Sequence, residues 1–184
     1  VTGVAVPHRR IDGDDGAVEK ATGMEEETMA AKVAVAEREL VINRLFDAPR
    51  ELVWRMWTDP DHARNWWGPV HHPAVDLTMD ARPGGRWRHC LRSVETGAEL
   101  WAHGVFREVV PPRRLVFTFA WEEEGERGRE NVVTIEFAEE NGRTRMTFRQ
   151  APFWSDGERD GHGEGWSSTF DRLGAWLART EERS

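Results

Sequence analysis

The chain has 184 residues, a formal net charge of −8 and 39% hydrophobic residues, with ten Trp, eight Phe and no Tyr. An acidic chain argues against nucleic-acid and anionic-membrane partners, which need clustered Lys and Arg. The lone cysteine, Cys90, excludes a disulfide framework within the chain and agrees with a reducing cytoplasm. No run of about 18 apolar residues and no basic-then-apolar leader occurs, so neither a membrane span nor a signal peptide is expected.

Residues 1–36 are rich in Gly, Asp and Glu, with no aromatic residue and no apolar period. They read as a flexible tail with a short helical piece around Glu25–Ala36, ahead of a single folded domain over 37–182. The opening Val1 and the internal Met24 admit a later native start.

Order is expected from "ERELVINRLFDA", where Leu40 and Ile42, with Leu45 or Phe46, alternate against Glu39, Val41 and Asn43 as a half-buried strand. In "DAPRELVWRMWTD", Asp47 is placed to cap a helix and Pro49 to sit in its first turn, with Val53, Trp54 and Trp57 as the apolar stripe. Asp59-Pro60 ends that helix. A second short helix, "PDHARNWW", runs to Gly68-Pro69, a glycine cap followed by a proline stop.

Six strands then follow. Val75, Leu77 and Met79 share a face of the first, and Trp87, His89 and Leu91 alternate with Arg88 and Cys90 in the next. In "ELWAHGVFREVV", Trp101, His103 and Val105 alternate against Ala102, Gly104 and Phe106, with the first set taken as inward. Leu115, Phe117, Phe119 and Trp121 line one face of "RLVFTFAW", and Val133, Ile135 and Phe137 one face of "NVVTIEFAE". The Asn141-Gly142 pair is the strongest hairpin signal in the chain. Met146, Phe148 and Gln150 share a face after it. Arg82, Arg86, Arg88 and Arg92 read as a solvated strand face. Finally, Trp166, Phe170, Leu173 and Leu177 fall at i, i+4, i+7 and i+11, one face of a helix of four or five turns with a glycine-rich start at Gly161, Gly163 and Gly165. The economical arrangement is a curved antiparallel sheet wrapped around this last helix.

The stretches "LVINRLFDAPRELVWRMWTDPDHARNWWGP", "DARPGGRW", "GVFREVVPPRRLVFTFAW" and "HGEGWSSTFDRLGAWL", in that order, resemble the START-like (SRPBCC, helix-grip) superfamily. Within it they are similar to the small bacterial homologues of the activator of heat shock protein 90 ATPase, over about 37–179. The resemblance implies an α+β helix-grip fold: about seven antiparallel strands gripping a long C-terminal helix, with two short helices after the first strand. It also implies a cavity between sheet and helix that takes an apolar ligand. Relatives in the superfamily include carriers, cyclases, a resistance protein and a co-chaperone, and fold alone does not choose among them.

The expected cavity residues are Trp66, Trp67, Trp87, His89, Trp101, His103, Phe117, Phe119, Trp121, Phe148, Gln150, Trp166 and Phe170. So many indoles suit a pocket wall better than a void-free core, with His89, His103 and Gln150 as inward polar groups. One of Trp66 and Trp67 is expected to pack as core and the other to reach the cavity rim. His71, His72, His89, His103 and Cys90 offer no HExxH or CxxC spacing, so no metal and no cofactor is expected. Ser167, Ser168 and His162 make no triad by spacing, and Glu108, Glu136 and Asp171 read as solvated. A binding protein for a small apolar or aromatic molecule is therefore favoured. A chaperone-associated module in the stress response, or a cyclase- or hydrolase-like enzyme using His89 or His103, are the alternatives. The self-association state is open between monomer and homodimer.

Overall fold

The structure, a computed structural model, describes residues 38–181. The expected tail over 1–36 lies outside the described residues. Strand β1 (Leu40–Phe46) is followed by two short helices, α1 (Arg50–Thr58) and α2 (Pro60–Ala63). Six strands come next: β2 (Ala74–Met79), β3 (Arg86–Arg92), β4 (Glu99–Val110), β5 (Arg114–Trp121), β6 (Asn131–Glu140) and β7 (Arg143–Ala151). A long helix, α3 (Asp156–Glu181), follows them.

The strands form one antiparallel sheet in the order β1-β7-β6-β5-β4-β3-β2. From β2 to β7 the chain is a meander, each strand pairing with the next; β1 then pairs with β7 at the far edge. Because β1 and β2 occupy opposite edges, the connection between them must cross the width of the sheet. Helices α1 and α2 make that crossing, and α1 packs on β6, β7 and α3.

Local chemistry explains most of the boundaries. Pro49 is the N-cap of α1 in extended geometry, and its carbonyl accepts the first helical N–H groups, from Leu52 and Val53. The expected cap from Asp47 is absent: a proline at the cap position supplies backbone geometry and no side-chain acceptor. Asp59 ends α1 and caps α2, its Oδ1 accepting the Asp61 N–H at 2.9 Å. Helix α2 is shorter than the sequence suggests, and Trp66 and Trp67 lie in the turn beyond it. Gly68 then takes φ +85°, where a Cβ would collide with the His72 carbonyl oxygen. The Asn141-Gly142 turn has φ 55° and 78°, the left-handed pair that a two-residue hairpin needs.

The inward faces of β1, β3, β5, β6 and β7 follow the alternation in the sequence, with Leu45 turned outward on β1. Two faces do not follow it. Val75 on β2 is exposed because the register with β3 shifts between Ala74 and Asp76, which turns Ala74 to the core instead. On β4 the inward set is Ala102, Gly104 and Phe106, whereas Trp101 is half-buried on the outer face and His103 is exposed. The reason is register: inward His89 pairs with Ala102, and Gly104 sits opposite Trp87, whose indole lies where a side chain at 104 would go. Outside, Arg88 stacks 3.8 Å over Trp101 and holds Glu122 through two 2.7 Å hydrogen bonds, and His103 Nδ1 stands 3.4 Å from the same carboxylate. Arg82 and Arg92 are likewise exposed and paired, with Asp80 and Glu99.

The core is largely aromatic. Trp57, Trp66, Phe117, Phe148 and Phe170 are each at most 1% exposed. Each such ring removes about 150–250 Å² from water, about 4–6 kcal/mol before the entropy of ordering is counted. Trp57 is the hub, with Trp66 at 4.9 Å, Trp67 at 5.5 Å, Phe170 at 6.0 Å and Trp166 at 6.3 Å between ring centroids. No helix among the described residues is long and apolar enough to cross a membrane.

Candidate functional site: a glycine-faced cavity

Helix α3 begins at Asp156, five residues before the glycine-rich start at Gly161 that the sequence suggests. Ser155 Oγ accepts the Glu158 N–H at 3.2 Å, and the Glu158 carboxylate reaches back to the Trp154 N–H. "SDGE" thus has the Ser-x-x-Glu pattern of a capping box, a signal present in the sequence, with the return bond made to Trp154, one residue before the cap. Starting the helix at Asp156 puts Gly157, Gly161 and Gly165 at i, i+4 and i+8 on one face, directly below Trp166 and Thr169. A Cβ added at any of these three glycines would meet nothing within 4 Å. The face lacks side chains, and the space they would fill is a cavity of about 530 Å³. That lies within the range of about 300–1,000 Å³ usual for small-molecule sites.

Across from this face, the sheet contributes His89 and Leu91 of β3, Leu100 of β4, and Phe119 and Trp121 of β5. The turn after α2 contributes Trp67, Gly68, Pro69 and His72. Arg127 of the β5–β6 loop, Ser155 and Glu158 complete the wall. Of the residues expected here, Trp67, His89, Phe119, Trp121 and Trp166 line the cavity. Trp66, Trp87, Phe117, Phe148 and Phe170 are buried core instead, away from the wall. Trp101 and His103 are on the opposite face of the sheet, for the register reason given above. The adjacent tryptophans divide: Trp66 is fully buried with its N–H donated to the Met56 carbonyl at 3.1 Å, while Trp67 turns to the cavity.

Gln150 stands behind the wall and organises it. Its Oε1 accepts the Trp166 N–H at 2.8 Å and faces His162 Nδ1 at 3.2 Å; its amide N–H donates to Asn131 Oδ1 at 2.8 Å. His162 Nε2 accepts the Trp121 N–H at 3.0 Å, so the proton of its neutral ring belongs on Nδ1, where Gln150 Oε1 accepts it. The network is therefore consistent with every ring uncharged. Burial, and then the charge of Arg127, push the pKa of His162 down to about 4. His89 is fully buried, and burial takes its pKa down to about 3, against a lesser, opposing effect of Glu122. Both are neutral near pH 7.

Two further residues hold the wall in place, Arg172, which sequence reasoning missed, and Ser168, which it weighed only as a nucleophile. Arg172, on α3, donates to the carbonyls of Trp67, Gly68 and Asn65 at 3.0, 2.7 and 3.2 Å, the first of which also accepts the Ala74 N–H at 3.0 Å. Ser168 Oγ accepts the Val70 N–H at 3.0 Å. Among the described residues neither Ser167 nor Ser168 has its hydroxyl hydrogen-bonded to a histidine, and no cluster of three or more His, Cys, Asp or Glu is placed to hold a metal ion.

The same architecture recurs in solved structures. A protein of Nitrosomonas europaea is 28% identical, with a TM-score of 0.67, over 80% of this chain and 98% of that one. The AHSA1 protein from Silicibacter pomeroyi is 27% identical, with a TM-score of 0.69, over 77% and 99%. A protein of Chromobacterium violaceum, at 24% identity and a TM-score of 0.70 over 77% and 97%, shares the fold. Among curated proteins no match is found. The profile of the family described as "Activator of Hsp90 ATPase homolog 1-like protein" matches residues 47–178, and the chain belongs to that family.

Proposed function

We propose that the protein binds a small apolar molecule with an aromatic part in the cavity between the sheet and α3, as a carrier, sensor or sequestering protein. The observation that carries this reading is the glycine face of α3: three helical positions without side chains stand opposite Trp67, Phe119 and Trp121, around about 530 Å³ of space. The space opens to solvent beside the exposed Gly157 and Gly161 and is walled inside by buried Trp67, Phe119 and Trp166, the concave and mostly apolar form usual for a small-molecule site. Native mass spectrometry of the purified protein and tryptophan-fluorescence titration with apolar aromatic probes test it. Micromolar binding of at least one probe class is expected; affinities no better than about millimolar across the panel overturn the reading.

The family match favours a second reading, association with a chaperone of the Hsp90 type. An unchanged ATPase rate of the cognate chaperone in the presence of this protein removes it. Catalysis is less favoured. His103 lies outside the cavity, and the low pKa values of His89 and His162 make both weak bases near neutral pH.

A further inference from the structure

The inner end of the cavity and its mouth differ in the hydrogen bonds they leave to be made. At the inner end the polar groups are used within the chain. The Trp67 N–H is donated to His89 Nδ1 and the Trp166 N–H to Gln150 Oε1. The Thr169 hydroxyl is donated to the Gly165 carbonyl, which the helix already uses. The Trp67 and Gly68 carbonyls take the Arg172 guanidinium. Nε2 of His89 has under 1 Å² of surface, so nothing in the cavity reaches it. Nearer solvent, the Trp121 N–H fills one nitrogen of His162 and Gln150 the other.

The mouth beside Gly157 and Gly161 is different. Arg127 stands 5.6 Å over the Trp121 ring, and its five N–H groups have one ionic partner among the described residues, Glu123 at 3.1 Å, with both side chains partly exposed. Glu158 gives one carboxylate oxygen to the Trp154 N–H and keeps the other. Ser155 Oγ accepts the Glu158 N–H, which leaves its hydroxyl hydrogen to donate. The His72 ring of the wall also has no hydrogen-bond partner among the described residues. Solvent reaches all four of these side chains. A polar group on a ligand loses its water on entering the cavity. At the inner end nothing replaces that water, at a cost of about 1–3 kcal/mol, whereas at the mouth these side chains or water itself replace it.

We infer that the cavity takes a one-ended amphiphile: an apolar aromatic body enters first, and a single polar group stays at the mouth beside Gly157, Gly161 and Arg127. The inference rests on the ligand-binding reading above and narrows it, by orientation and by the number of polar ends. A molecule of the same size that is polar at both ends is rejected, because one end is buried without a partner.

The test uses naphthalene, 2-naphthol and 2,6-dihydroxynaphthalene, one ring system with no hydroxyl, one, and one at each end. Each hydroxyl favours water by a similar amount, so comparing the two steps removes that contribution. Equilibrium dialysis against the full chain is expected to show the first hydroxyl weakening binding by no more than about fivefold. The second is expected to weaken it by at least about tenfold more than the first. The variant Trp121→Phe takes away the N–H that occupies His162 Nε2 and offers that lone pair to a buried hydroxyl. There the second step is expected to shrink to within about threefold of the first. A second step no larger than the first in the unaltered protein, or one undiminished in the folded variant, overturns the inference while leaving the cavity a ligand site. If the variant does not fold, the two steps in the unaltered protein decide. If none of the three probes binds, the ligand-binding reading falls and this inference with it.

Discussion

The two halves of helix α3 make opposite use of the same sheet. In the C-terminal half Phe170, Leu173 and Leu177 are at most 3% exposed and close-packed, and even Gly174 has the Phe46 ring within van der Waals reach of a Cβ. In the N-terminal half Gly157, Gly161 and Gly165 face open space. Four helical glycines, counting Gly163, cost about 2–4 kcal/mol in helix propensity relative to alanine. The capping box at Ser155 and the indole network around Gln150 hold that half in place instead. The contrast teaches that this cavity is made by leaving side chains out of a helix, while the helix axis continues unbroken.

The contrast can be broken or sharpened by variants. The largest effect is expected on the packed side. Phe170→Ala should destabilise the fold by about 3–5 kcal/mol, read as a lower midpoint in urea unfolding, because the hole it opens is closed in by Trp57, Phe148 and Trp166.

Acid acts next, and on the hollow side. His89 and His162 have folded pKa values of about 3 and about 4, against about 6.5 when unfolded. Below pH 6.5 the unfolded chain takes up protons that the folded one refuses, so stability is full above about 6.5 and falls as pH drops toward about 4 for His162 and about 3 for His89. Each contributes a slope of up to about 1.4 kcal/mol per pH unit, about 1.6 kcal/mol between pH 6.5 and 5. Urea midpoints across that window should flatten in His162→Gln; an unchanged slope would show that the ring is not held neutral.

A smaller effect separates binding from stability. Gly165→Leu should fill the cavity and weaken probe binding at least tenfold with little change in melting temperature, since its Cβ enters open space. Smallest is Gly161→Ala, expected to stabilise the fold by about 0.5–1 kcal/mol through helix propensity. The same substitution at Gly163, where a Cβ would stand 3.2 Å from Leu40 Cδ1, should gain less, and denaturation curves of the pair compare the two directly.

Much of the architecture was legible in the sequence because alternation and turn chemistry are local. The seven strands, the Asn141-Gly142 hairpin and the inward faces of β3, β5, β6 and β7 follow from side-chain period alone. The face of β4 did not, because Trp101, His103 and Val105 compete with Ala102, Gly104 and Phe106 on nearly equal terms. The decision lies in the pairing of His89 with Ala102, which is not a property of either strand by itself. Val75 was misplaced by a register shift that no residue type announces. The division between Trp66 and Trp67 was legible as a requirement, and which ring does which was not. The cavity face was hidden for a different reason. Reading for what is apolar finds Trp166, Phe170, Leu173 and Leu177, takes Gly161 and Gly165 only as a glycine-rich start and misses Gly157, although "SDGE" marks the helix start that aligns the three.

Arg172 ties these observations to mechanics. Its guanidinium bridges α3 to three carbonyls of the turn that carries Trp67, and Trp67 in turn donates to His89 on β3. The helix, the turn and the sheet are thus joined in series by directional links of fixed reach, like a strut and tie across one side of a vault. The span of the vault on that side is set by the length of an arginine and an indole, so a guest that is too thick meets resistance from bonds rather than from soft apolar contact.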